Sequence, residues 1–362
     1  MKIFTVGPVQ PYPVTARVYE RGYPYFRTDE FSSLMLSNTR NLREMLAAEE
    51  GSEIVYLASS GTGAMEAVVD NCLMKSDKSL VINGGTFGAR FCYLLRSHGM
   101  DFDSVDLPFG KALTREDLDK FSAGKYRALL VNMTETSTGQ LYCAQMLSDF
   151  CRERGMFFIV DAIGTFLADE FNMQKYGIDV AIASSQKGLG LSPGMSIVAL
   201  SPRMKERVES APPPLYSYFD FKEYFKNNIR GQTPFTPPVG IIYELSEMIG
   251  FIAENGGVCA RLEEVSNKSR YFRQKALAAG LDYERGYPLS NILTPLKFED
   301  GIDAYEIFKM LKDDFQIYVN PCGGELSKKI LRVAHVGNTS KADFDDLIEK
   351  ILVCLRRIKS AK

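Results

Sequence analysis

Six short apolar segments punctuate the first two thirds of the chain: EIVYL (53–57), SLVIN (79–83), RALLVN (127–132), MFFIVD (156–161), DVAIAS (179–184) and MSIVAL (195–200). Within each, hydrophobic residues follow one another instead of alternating with polar ones. A strand with one face in water would alternate, so these strands are expected to be covered on both faces, as in a parallel sheet between helices. Helical stretches such as GAMEAVVDNCLM and CAQMLSDFCRERG lie between them. That alternation predicts an α/β fold with a mainly parallel sheet sandwiched by helices.

The pattern changes after about residue 250. A proline-rich break, APPPLYSY (211–218), is followed by TPFTPPVGIIYELSEMIGFIAENGG, which reads as a loop leading into a long connecting helix. Beyond it come a helix (RLEEVSNKSRYFRQKALAAG), NILTPLKF, another helix, QIYVN, KILRVAH and a last helix. In the last helix Phe344, Leu347, Ile348, Ile351, Leu352 and Leu355 recur at amphipathic spacing, with Ser340 as N-cap. Residues 15–250 are therefore expected to form a large domain and 251–362 a smaller α+β domain.

Composition removes several function classes. A net charge of −2, with 24% charged residues, gives no electrostatic case for nucleic acid or an anionic membrane as partner. No segment approaches the ~20 apolar residues of a membrane span, and the N-terminus has no apolar core of signal-peptide type. Seven scattered cysteines without a CxxC pair, and only His98 and His335, offer no metal cluster and suggest reduced thiols in a cytoplasmic protein. A small-molecule substrate is expected.

Four features fall at the C-terminal ends of expected strands, where open α/β sheets bind ligands. Lys187, in SSQKGLGLSPG, stands among small neutral residues at the end of a buried strand, where an ammonium is costly to desolvate. The cost disappears if the amine is joined to an aldehyde as an imine. Asp161 closes MFFIVD and reads either as a helix cap or as a buried anion that keeps a cation protonated. ASSGTGAMEA (58–67) opens a helix whose first N–H groups, with the Ser60 and Thr62 hydroxyls, would seat a phosphate, although it matches neither a P-loop nor a full GxGxxG. NMTETSTG (132–139) adds hydroxyls and a carboxylate at another strand end. Pyridoxal phosphate carries an aldehyde, a ring nitrogen and a phosphate, and those groups need an amine, a carboxylate and a helix N-terminus.

With these motifs in this order the chain resembles the class V (fold type I) pyridoxal-phosphate aminotransferases, in the branch of alanine–glyoxylate, serine–pyruvate and 2-aminoethylphosphonate–pyruvate transaminases. The resemblance runs from TVGPVQ through RTDEF, SSGTGAMEA, ETSTG, VDAIG, SSQKGLGLSPG and TPFTPPV to LRVAHVG. It implies pyridoxal 5'-phosphate as cofactor, Lys187 as its covalent anchor and proton shuttle, and Asp161 as partner of the ring nitrogen. It further implies Ser60, Gly61 and Thr62 on the phosphate, Gln186 beside the cofactor, Thr136 near the ring oxygen and Phe87 stacked on the ring. Arg332 corresponds to the arginine that grips the substrate carboxylate, and an arm of residues 1–14, with Gly7 in GPVQ, would pack near the same end of the substrate. Phe87 as ordinary core and Arg332 as a structural ion pair are the plainer alternatives. Thr233 and Thr236 fall where the family reaches the phosphate of the neighbouring subunit, which implies a homodimer with shared sites. The implied reaction is ping-pong transfer of an amino group from an alanine- or serine-like donor, or 2-aminoethylphosphonate, to glyoxylate or pyruvate. A cysteine desulfurase of the same fold is the rival reading, because Cys322 precedes Arg332. Such enzymes place a histidine where this chain has Phe87, and their lysine motif reads SxHK where this one reads SSQK.

Overall fold

The computed structural model of the protein describes residues 1–122 and 124–360. In chain order, the strands among them are β1 (Lys2–Phe4), β2 (Glu53–Leu57), β3 (Lys78–Asn83), β4 (Asp101–Asp106), β5 (Ala128–Asn132), β6 (Thr134–Glu135), β7 (Gln140–Leu141), β8 (Phe157–Asp161), β9 (Val180–Ser184), β10 (Ser196–Leu200), β11 (Asp282–Tyr283), β12 (Leu293–Lys297), β13 (Ile317–Pro321) and β14 (Ile330–Ala334). Seven make one large sheet in the order β2-β10-β9-β8-β5-β3-β4.

From β9 through β8, β5 and β3 to β4 the large sheet is parallel. All residues of β5, β8, β9 and β10 are buried, as their uninterrupted hydrophobicity requires. Leu129, Phe158 and Ile197 join one apolar layer, and their neighbours Leu130, Ile159 and Val198 join the layer on the opposite face. The MSIVAL segment departs from the parallel expectation. It forms β10, antiparallel to both β2 and β9. The loop 185–195 that precedes it is too short for a helical crossover, which takes a dozen or more residues, so the chain must turn straight back. β4 lies at the sheet edge and carries no apolar run, and only Val105 of DFDSVD is buried.

A second sheet, β1-β13-β14-β12-β11, collects strands from both ends of the chain. β1 pairs in parallel with β13, with Phe4 opposite Val319. Helices Gly257–Ala278, Ala304–Phe315 and Lys341–Ser360 cover it, and the Phe344 ring meets those of Phe4 and Phe272 at 5.5 Å each. Ser340 caps the last helix as expected: its hydroxyl accepts from the Asp343 N–H at 3.3 Å, and the Asp343 carboxylate accepts from the Ser340 N–H at 2.8 Å. The apolar helix Val239–Glu254 precedes this unit. Among the described residues no helix is long and apolar enough to cross a membrane.

Candidate active site

The C-terminal ends of β2, β5, β8 and β9 surround a cavity of about 140 Å³. Ser60, Gly61, Thr62, Phe87, Thr136, Asp161, Gln186 and Lys187 all line it, so the structure brings together the residues that the sequence scatters over 128 positions. Met65, Thr134, Ile163 and Gly164 complete the wall.

Lys187 is held by a loop of small residues folded against itself. The Ser185 hydroxyl donates to the Ser192 carbonyl at 2.7 Å and accepts from the Met195 N–H at 3.3 Å, and Glu244 takes the Ser192 N–H at 2.7 Å. A side chain at Gly188 would collide with the Phe166 carbonyl. The turn can therefore pack this closely only with glycine. Ser184 donates to Gln186 Oε1 at 2.7 Å and fixes that amide beside the lysine. From the N-terminal arm, Gly7 presses on the lysine stem, where a Cβ would stand 2.5 Å from Lys187 Cδ. Burial, reinforced by the positive charge of Arg332 and opposed by Asp161, brings the Lys187 amine down to about 8.

Asp161 is fully enclosed, and its two partners are neutral donors. Oδ1 accepts from the Ile163 N–H at 2.8 Å, and Oδ2 accepts from the Asn132 amide. Burial pushes its carboxyl up to about 6 against those two hydrogen bonds. A carboxylate in this state is short of a cation. Asn132, the last residue of β5, is a participant that sequence reading missed; as one asparagine in a polar run it carried no distinguishing signal.

On the other side, Ser60 caps helix Gly61–Cys72 by accepting from the Gly63 N–H at 3.4 Å. A Cβ at Gly61 would meet Ile163 Cδ1 and force that side chain to move. Arg90, which the sequence did not single out, donates to Thr62 Oγ1 at 3.3 Å and adds positive charge beside the helix start. Helix N–H groups, hydroxyls and a guanidinium together suit a phosphate. Phe87 and Ile163 give the cavity apolar walls that a flat ring can use.

Arg332 Nη1 donates to the Thr136 carbonyl and Nη2 to the Pro321 carbonyl, each at 2.7 Å, while the buried Nε has no partner. No carboxylate pairs with it among the described residues, which sets aside the structural ion pair. Thr233 and Thr236 lie outside the cavity of their own chain. The Thr233 hydroxyl donates to the Phe235 carbonyl at 2.7 Å, and Thr236 is exposed. Cys322 is buried, its thiol directed at the Ser137 carbonyl at 3.5 Å, and burial pushes its pKa up. Such a thiol is a poor nucleophile, which argues against the desulfurase reading. His335 is packed between the Asn291 carbonyl and Thr294, and burial brings it down to about 3, so it is a neutral structural residue.

The donor set fits pyridoxal phosphate: an amine of lowered pKa, a buried carboxylate with only neutral hydrogen-bond donors and a helix start that suits an anion share one cavity. A family model described as aminotransferase class-V matches residues 25–342. A soluble hydrogenase 42 kDa subunit of Anabaena cylindrica is 31% identical over 96% of this chain and 91% of its own length. An L-aspartate–glyoxylate aminotransferase of Paracoccus denitrificans is 26% identical, covering 87% of this chain and 81% of that protein. The crystal structure of an alanine–glyoxylate aminotransferase from Nostoc sp. superposes with a TM-score of 0.91 at 26% identity, over 98% of this chain and 94% of that one.

Proposed function

This chain belongs to the class-V aminotransferases, a pyridoxal-phosphate-dependent family, and we propose that it moves an amino group from a small α-amino acid to a small 2-oxo acid, glyoxylate first among them, by ping-pong turnover at Lys187. The observation that carries this reading is the single cavity shared by Lys187, Asp161 and the helix start at Gly61. Glyoxylate is favoured because the chain is similar to both an aspartate–glyoxylate and an alanine–glyoxylate aminotransferase.

Pyridoxal phosphate supplies, when bound, an aldehyde that takes up amines and a ring that delocalises the electron pair left at the α-carbon of the donor. The chain supplies the rest. Asp161, whose hydrogen-bond partners are neutral donors, would hold the proton on the ring nitrogen. Ser60, Gly61 and Thr62 would bind the phosphate, with Arg90 held to the Thr62 hydroxyl. Phe87 and Ile163 would offer the ring apolar walls, and Thr136 and Gln186 line the same cavity. Arg332 grips the substrate carboxylate with the two-pronged fork that lysine lacks. Lys187 Nζ would take the α-proton of the donor as general base and return it to the cofactor carbon as general acid, and the second half-reaction would reverse that path.

A homodimer in which Thr233 and Thr236 reach the partner's phosphate site accords with the apolar surface beside them. Phe235, 39% exposed, and Tyr218, 41% exposed, stack at 4.9 Å within that surface. The cysteines are all free, which accords with a reducing, cytoplasmic setting.

The test is a donor scan on the yellow holoenzyme. Alanine, serine and aspartate are added one at a time, and loss of the visible absorbance, then its return on adding glyoxylate, identifies the substrate pair. Failure of every small α-amino acid to bleach the band while 2-aminoethylphosphonate succeeds would overturn the donor class. A second expectation follows from the lysine. Attack on the aldehyde needs the neutral amine, so covalent attachment of pyridoxal phosphate to the cofactor-free protein should speed up with pH and level off above about 8. Stopped-flow absorbance would detect an ordinary lysine by a rise that continues beyond pH 9.5.

A further inference from the structure

We propose that Glu135 is a positioning residue that holds Phe87 and Arg332 in register with each other. The inference rests on the reading that Phe87 stacks on the ring and Arg332 binds the substrate carboxylate. Glu135 is 1% exposed. Its carboxylate accepts from the N–H of Phe87 at 3.1 Å, of Gly88 at 3.0 Å and of Ser137 at 3.1 Å, and from the Ser137 hydroxyl.

The first two of those donors open helix Thr86–Ser97, whose own N-cap is Gly85 and provides no side chain. A helix start left uncapped is stabilised by an anion placed on its free N–H groups. By contrast, Thr28, Ser60, Ser201 and Asp303 each cap the helix they precede. Here the cap reaches back 47 residues to Gly88 from a different strand end. Gly85 makes room for it, since a Cβ there would stand 2.7 Å from Glu135 Cγ and Cδ. A local serine would have satisfied the helix alone. The distant carboxylate instead ties the helix start to the loop 136–137, and the Thr136 carbonyl in that loop holds Arg332 Nη1 at 2.7 Å. One anion thus fixes the backbone bearing the stacking ring and the backbone bearing the guanidinium support.

Glu135→Gln keeps the volume but turns an NH2 group toward N–H donors, so one arm of the link must open. In the holoenzyme it is expected to raise KM for both amino donor and 2-oxo acid about ten-fold or more, with a smaller fall in kcat. The visible circular dichroism of the bound cofactor should weaken as the ring loses its fixed neighbour. Arg332→Lys, measured in parallel, tests the underlying reading. If it raises KM while Glu135→Gln changes neither KM nor dichroism, the positioning role is overturned and the site assignment stands. If Arg332→Lys leaves KM unchanged, that assignment falls, and the proposal with it. Should Glu135→Gln fail to fold, Ser137→Ala weakens the link while leaving the carboxylate in place: it removes the hydroxyl that donates to Glu135 and accepts from the Thr86 N–H at 3.1 Å. A raised KM would then support the proposal, and an unaltered KM would overturn it.

Discussion

Lys187→Ala is expected to lower turnover by about 10⁴-fold or more, because it removes both the covalent anchor and the group that moves the α-proton. The loss should not come from unfolding. The folded chain brings the lysine amine down to about 8 from 10.5, so between those values the unfolded state binds the proton that the folded state releases. Stability from this group therefore rises as pH climbs from about 8 toward 10.5, and at pH 7 the lysine weakens the cofactor-free fold. The alanine variant, without its cofactor, should melt at the same temperature as the parent protein or higher. Differential scanning calorimetry beside a kinetic assay separates the two effects. Substantial remaining turnover would exclude Lys187 from the chemistry.

Asp161→Asn is expected to cost about 10³-fold in kcat, the scale on which a preorganised charge stabilises a transition state, and to weaken cofactor retention. Its effect on the empty protein has the opposite sign. Burial raises the folded carboxyl to about 6 from 3.8, so the stability associated with this group is present below about pH 4 and lost as pH rises through 6. Asparagine removes that loss. Asn132 Oδ1 has no partner in the parent and, with its amide turned over, can accept from the new NH2. The cofactor-free variant should thus be at least as stable as the parent at pH 7, the difference closing below pH 4, while the holoenzyme loses activity. A variant that destabilises the empty protein at pH 7 would mean that Asp161 is a structural cap, the plainer reading of its place after β8.

Much of this site is legible in the sequence because each principal group sits where a buried hydrophobic run ends. Asp161 closes β8, Lys187 follows β9, and the Ser60 turn follows β2, so locating the strands locates the chemistry. Phe87 and Thr136 came from the resemblance to a family, since an aromatic in NGGTFGAR and a threonine in ETSTG have no signature of their own. The supporting groups are harder to read. Asn132, Arg90 and Glu135 act through contacts 28 to 48 positions away, which no local pattern encodes. The strand β1 is only three residues long, and its pairing with β13 joins residues more than 300 positions apart. The antiparallel course of β10 depends on loop length, not hydrophobicity, and the edge strand β4 lacks the apolar run that marks the others. Local pattern reveals what is buried on both faces; it is silent on which distant polar groups meet.

The central claim is that the cofactor is bonded to one particular lysine. Reduction of the holoenzyme with borohydride, followed by proteolysis and mass spectrometry, reads that bond directly. The expected result is a single pyridoxyl-phosphate adduct on the peptide containing Lys187, absent from Lys187→Ala. An adduct on another lysine, or none from protein that shows the cofactor absorbance, would contradict the account.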